Sequence, residues 1–297
     1  VDLKKLLQRK SLEYETESKD IELVPTGDWH IDSTTALHPP VGLVPFHYSE
    51  NLQFIPSSLQ DKLWKHFEKC TDEIAERRKG KTLFILKMGD EIDGDHHNTH
   101  QLVTRNITEQ TNTAVEVMKY FQKRLDFQRG DALACLRGTF VHVGKQENEI
   151  GRQLGAHEFE IGEFASSFIE LNLKGNLIWA YHKGVSAGQG QTRGNACVIK
   201  LRQVYYQCLQ TGVPIPDMII SAHTHDSHYA TWTRPDGRVM HYLITAPFQD
   251  KTQFAQDNLA TNKNAVGMQT VTISDSGIKV NEKMLMPSPL GHSVVMK

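Results

Sequence analysis

The sequence predicts an α/β protein in which helices cover sheets. Three observations carry that expectation. Short apolar runs alternate with longer stretches of helical spacing, the carboxyl-terminal part turns strand-rich, and Gly, Pro, Asp and Ser punctuate the joins. The strand-like runs are residues 21–24 (IELV), 82–88 (TLFILKM), 132–136 (ALACL), 177–181 (LIWAY), 218–221 (MIIS), 239–245 (VMHYLIT) and 270–273 (TVTI). A helix is expected over 58–79, opened by the cap pair Ser57-Ser58 and closed by Gly80. A second is expected over 108–127, where Val115, Met118, Phe121 and Leu125 share a face. A third spans 195–209, ahead of Thr211-Gly212. Residues 1–20 are charged and amphipathic and read as a helical extension, followed by one domain over 21–297. The Pro- and His-rich stretch 32–57 reads as a long loop, and no internal repeat or low-complexity linker is visible.

Composition narrows the function. A chain of 297 residues can bury a substantial core. Its 33 basic and 35 acidic residues leave a net charge of −2, so no long-range field favours an extended grip on nucleic acid. No apolar run approaches the roughly 18 residues of a membrane span. The amino-terminal stretch lacks an apolar signal core, so a cytoplasmic location is expected. Cys70, Cys135, Cys197 and Cys208 are far apart with no C-x-x-C pair and read as reduced residues. Histidine is abundant at 15, and nine of these are His30, His96, His97, His100, His142, His182, His223, His225 and His228. Crowding beside carboxylates and glycines points to metal chemistry.

Each polar cluster follows a strand-like run: Asp28 and His30, Asp90, Thr139 and His142, His182, then His223 and His225. Strand ends in an α/β sheet converge on one rim, where ligands bind. Two carboxylates and four imidazoles, Asp28, His30, Asp90, His182, His223 and His225, exceed one closed tetrahedral site and include no thiolate. Mixed nitrogen and oxygen donors suit divalent Mn, Fe, Zn, Co or Ni. Two ions roughly 3.5–4 Å apart would use all six donors, and a water bound to them would acidify towards about pH 7 and become a nucleophile.

The blocks Asp28-Trp29-His30, Gly89-Asp90-Glu91-Ile92-Asp93, the lone His182 and Ala222-His223-Thr224-His225 resemble, in order and spread, the calcineurin-like metallophosphoesterases, in a divergent branch similar to phage and prophage enzymes. The resemblance implies a four-layer α-β-β-α sandwich of two mixed β-sheets flanked by helices. It implies a dinuclear centre of two divalent ions, Mn favoured over Fe, Zn, Ni or Mg. Asp28, His30 and His225 would hold one ion, His182 and His223 the other, and Asp90 would bridge, with Asp93 orienting ligands. The third block departs from the family pattern, since Thr139 stands where an Asn is expected and His142 falls two residues late. An alternative register places Gly144-Lys145-Gln146-Glu147 there, with Glu147 and Asn148 as lesser candidates. His142 is preferred, as the acid that protonates the leaving oxygen or as a substitute ligand. His97, in the loop after the second block, and Arg193, in a glycine-rich loop, are candidate substrate contacts.

The expected function is therefore metal-dependent hydrolysis of a phosphate ester by metal-bound hydroxide. A phosphodiester, such as a nucleotide or single-stranded nucleic acid, is favoured because Gly94 replaces the Arg that protein phosphatases carry after this block. Phosphomonoester hydrolysis and a non-catalytic scaffold with a decayed metal site are the alternatives. An amidohydrolase-type barrel would carry H-x-H early and Asp late, the reverse of the order here. No membrane partner is expected, and the oligomeric state is left open.

Overall fold

The structure is a computed structural model that describes residues 12–14, 19–43, 54–95, 101–188, 190–250 and 265–287. Its strands are β1 (Leu12–Tyr14), β2 (Ile21–Thr26), β3 (Thr82–Lys87), β4 (Ala132–Leu136), β5 (Ala165–Ser166), β6 (Ile169–Leu173), β7 (Asn176–Lys183), β8 (Met218–Ala222), β9 (His228–Thr233), β10 (Val239–Ile244), β11 (Ala265–Gly267), β12 (Thr270–Ser274), β13 (Gly277–Asn281) and β14 (Leu285–Pro287). The helices are α1 (Ser58–Arg77), α2 (Ile107–Arg124), the single turn α3 (Phe140–Val143), α4 (Gln146–Leu154) and α5 (Asn195–Thr211). One six-stranded sheet runs β13-β12-β2-β3-β4-β5 and the other β1-β6-β7-β8-β10-β9. Both are mixed. β2, β3, β4 and β5 are parallel neighbours, as are β7, β8 and β10, while β12–β13, β6–β7 and β9–β10 are antiparallel.

The period-2 geometry of a strand explains the layering. On β3, Phe84 and Leu86 face the other sheet, whereas Leu83 and Ile85 pack under α1 and α2. On β7, Ile178 and Ala180 enter the same inter-sheet core, whereas Trp179 and Tyr181 lie beneath α5. Central strands buried on both faces read as continuous apolar runs, which is why they stand out in the sequence. The result is the expected four-layer α-β-β-α sandwich of two mixed sheets.

Local signals explain the helix boundaries. Ser57 closes a capping box with Gln60 at the start of α1, worth about 1 kcal/mol. Asn106 caps α2 through its side-chain oxygen, and Gly212 ends α5 in the left-handed conformation. The four cysteines are free and buried. Among the described residues, no helix is long and apolar enough to cross a membrane.

One expectation is corrected at the amino terminus. Leu12–Tyr14 form a strand paired in parallel with Leu171–Leu173 rather than part of a helix, because the edge of β6 offers them a backbone ladder. The remainder of the expected helical extension, 1–11 and 15–18, lies outside the described residues.

Candidate metal centre

The carboxyl ends of β2, β3 and β4 in one sheet and of β7 and β8 in the other meet on one rim. Past β2 and β3 the parallel pairing continues into the loops: Asp28 N donates to Gly89 O (2.8 Å), His30 N to Asp90 O (3.1 Å) and Ile31 N to Glu91 O (2.9 Å). The two loops thus carry Asp28, His30, Asp90 and Asp93 side by side. Trp29, between two site residues, points the other way and is fully buried. Its Nε1 donates to Thr26 Oγ1 (2.8 Å), and its ring packs edge-on against Phe67 and Phe121.

The six residues read from the sequence gather into two trios. Asp28, His30 and His225 have ligand atoms within 4.8 Å of one another, and so do Asp90, His182 and His223. The backbone supports this at a cost. Asp28 (φ 49°), His30 (44°), Asp90 (54°), His223 (73°) and His225 (51°) all lie in the left-handed region, which non-glycine residues avoid. Each such residue costs on the order of 1 kcal/mol or more, and strain of this kind collects at functional sites. Gly89 and Gly138 let the loops close up. A Cβ on Gly89 would stand 2.7 Å from Gly138 N, and one on Gly138 would stand 2.7 Å from Glu147 Oε1.

The hydrogen bonds define which ring nitrogens face inward. His30 Nδ1 donates to Asp93 Oδ1 (2.9 Å), and His182 Nδ1 donates to Met88 O (2.8 Å). In the neutral rings, Nε2 of each then carries a lone pair. His30 Nε2 faces His225 Nε2 at 3.1 Å, and His182 Nε2 faces Asp90 Oδ2 at 3.0 Å. Asp28 Oδ1 is buried and takes no hydrogen bond from any described residue, with His225 Nε2 3.6 Å away. Acceptor atoms at these distances need a proton or a cation between them. A proton meets that need at His182: burial alone would depress it, but the Asp90 and Asp28 carboxylates push it up to about 9. His30 is raised likewise, burial being outweighed by Asp93 and then by the charges of Asp90 and Asp28. Asp90 and Asp28 are both lowered, since the imidazoles of His182 and His225 overcome burial. Divalent cations fit the same donors, and an imidazole that gives its other N–H to a carboxylate or carbonyl is the usual arrangement of a metal-bound histidine.

The remaining candidates fall as follows. Asp93 holds His30 and also accepts from Gln249 Nε2 (3.2 Å). His142 gives Nδ1–H to Asp93 O (3.0 Å), stacks edge-on against His30, and shares a further cluster with His30 and Asp93. Arg193 is committed within the fold, with its guanidinium paired to both oxygens of Asp226 (2.5 and 3.2 Å) and to Ser227 O (2.9 Å). That pairing leaves the expected phosphate contact of Arg193 without support. His97 lies outside the described residues. Asp90 gathers with His182 and His223.

Sequence reasoning underrated three residues. Glu147 is buried, and its Oε1 accepts from Asp90 N (2.8 Å). Burial, and then the Asp90 charge, push its carboxyl well above the usual range. Gln249 was not singled out at all, since its partners Asp93 and Ser33 are remote in sequence. Thr139 places its hydroxyl 3.2 Å from His182 Nε2 and 3.1 Å from His223 Nδ1. The strand-end position of Thr139 was the available signal for its place in the cluster.

No family model matches the chain, and no curated protein does. Solved structures give distant likenesses. Vps29 from Entamoeba histolytica, complexed with zinc, is 12% identical over 90% of this chain and 98% of its own, with a TM-score of 0.34. An archaeal phosphodiesterase is 9% identical over 89% and 99%, at 0.38. The NAD nucleotidase of Haemophilus influenzae is 11% identical over 92% of this chain and 50% of its own, at 0.39.

Proposed function

We propose that the chain is a metal-dependent phosphoesterase of the calcineurin-like kind that its motif order resembles, acting on a phosphodiester such as a nucleotide or a single-stranded nucleic acid. One observation carries the reading: two trios of imidazole and carboxylate donors stand on one rim with their electron pairs facing inward, on backbone held in the left-handed region. Asp28, His30 and His225 would hold one divalent cation and His182 and His223 a second, with Asp90 between them; manganese heads the candidates. When bound, such ions neutralise the oxygens of a phosphate under attack and acidify a water.

The chain's own groups do the rest. Asp93 fixes the tautomer and orientation of His30, and Gln249 steadies Asp93. Met88 O does the same for His182. His142, oriented by Asp93 O, would give a proton to the departing ester oxygen through Nε2. Phe140, next to Thr139, leaves 77% of its surface in solvent. A flat base could stack on such a ring, which favours a nucleotide-like substrate.

The test is hydrolysis of bis-p-nitrophenyl phosphate, p-nitrophenyl phosphate and cyclic and linear dinucleotides, with added Mn, Fe, Zn, Ni or Mg. Diester turnover that a chelator abolishes and manganese restores is expected. Faster monoester turnover would favour the phosphomonoesterase, and no turnover with any ion would leave the scaffold reading.

A further inference from the structure

We infer that the Thr139 hydroxyl is the neutral oxygen donor that completes the second site beside Asp90, His182 and His223. The inference rests on the metal-dependent reading above and names a residue that reading does not use.

Three observations converge on it. The hydroxyl lies within 3.2 Å of His182 Nε2 and 3.1 Å of His223 Nδ1, two nitrogens 41 residues apart in sequence that meet only here. A hydroxyl has a single proton to donate. In a neutral His182, whose Nδ1–H is given to Met88 O, Nε2 turns a lone pair toward the space that the Thr139 oxygen and His223 Nδ1 also face, and a cation bound there would take a lone pair from each of the three. Second, Thr139 is the N-cap of α3, where a Thr side chain ordinarily turns back to accept from the helix backbone. Thr139 makes no such bond. Its hydroxyl is turned to the histidines instead. Third, the residue is held against Asp90: Thr139 N donates to Asp90 Oδ1 (2.6 Å), so backbone and side chain of one residue address the same cluster.

The test is equilibrium dialysis of the full chain against cobalt(II), followed by elemental analysis and by the visible absorption of bound cobalt. The wild type is expected to take up two ions. Thr139→Val keeps the β-branched shape and the N–H to Asp90 but loses the hydroxyl. It should bind the first ion unchanged and the second about tenfold or more weakly. Thr139→Ser should restore the second ion, and Thr139→Ala provides a hydroxyl-free variant if Thr139→Val does not fold. Equal binding of the second ion by wild type and the hydroxyl-free variants overturns the inference while leaving the phosphoesterase reading intact, and so does loss of that ion in Thr139→Ser. Uptake of fewer than two ions by the wild type overturns the dinuclear reading, and this inference with it.

Discussion

Trp29→Phe isolates the link between core and site. Trp29 sits between Asp28 and His30, and its burial fixes the direction in which both neighbours project. The substitution removes the Nε1–H···Oγ1 bond to Thr26, worth about 1 kcal/mol. It also leaves the Thr26 hydroxyl, 1% exposed, without that donor, for about 1 kcal/mol more. The Lys87 ammonium stands 3.2 Å above the indole, and its attraction to the smaller phenyl face is weaker by roughly 0.5–1 kcal/mol. Edge contacts to Phe67 and Phe121 are retained in part. The sum is a loss of about 2–4 kcal/mol, against the 5–15 kcal/mol typical of a domain, so the variant should fold. Urea unfolding followed by far-ultraviolet circular dichroism reads the loss directly; with a slope of about 3 kcal/mol/M the midpoint should fall by roughly 1 M. Cobalt affinity should fall with it, because the left-handed loop is no longer pinned. A midpoint unchanged within about 0.2 M would refute the idea that Trp29 anchors the site.

Three further outcomes are expected. Asp90→Asn keeps an acceptor for Thr139 N but removes the charge facing His182, so diester turnover should drop by about 100-fold or more while the circular dichroism spectrum is retained; normal turnover would remove Asp90 from the centre. His142→Ala should slow esters with poor alkoxide leaving groups by about 100-fold and p-nitrophenyl esters far less, whereas equal slowing would make His142 a ligand rather than a proton donor. Glu22 is buried and ion-paired to Lys81 (2.6 Å) and Arg77 (3.1 Å). Burial tends to raise its carboxyl, but the bonds from Lys81, Thr270 and Thr272 prevail and hold it below the ordinary 4.5. A lowered folded-state value means stabilisation present above pH 4.5 and lost as pH falls through the folded value. Glu22→Gln should therefore cost about 1–3 kcal/mol at neutral pH, with the gap to wild type closing in acid; a gap independent of pH would contradict the sign.

What the sequence discloses follows from how each element is buried. β3 and β8 are apolar on both faces and read plainly. β6 alternates, with Glu170 and Asn172 half-buried between Ile169, Leu171 and Leu173, so its apolar run is broken. β9 and β13 are sheet edges with little buried surface. α4 was missed because its buried face is Glu147, Ile150 and Gly151 rather than an apolar stripe. The six clustered Asp and His residues were legible because each ends a strand, and parallel strands deliver their ends to one rim. The hydroxyl of Thr139 was not legible as a partner of His182 and His223, which lie 43 and 84 residues further on. Arg193 looked available in a glycine-rich loop, and only the fold brings Asp226 to it.

The account's central claim is that Asp28, His30 and His225 would hold one cation and His182 and His223 another, with Asp90 between them. Anomalous diffraction at the manganese edge, from crystals grown with manganese, tests it most directly. Two peaks, one within each trio, are the result expected. Crystals with occupied manganese sites elsewhere and no peak in either trio would contradict it.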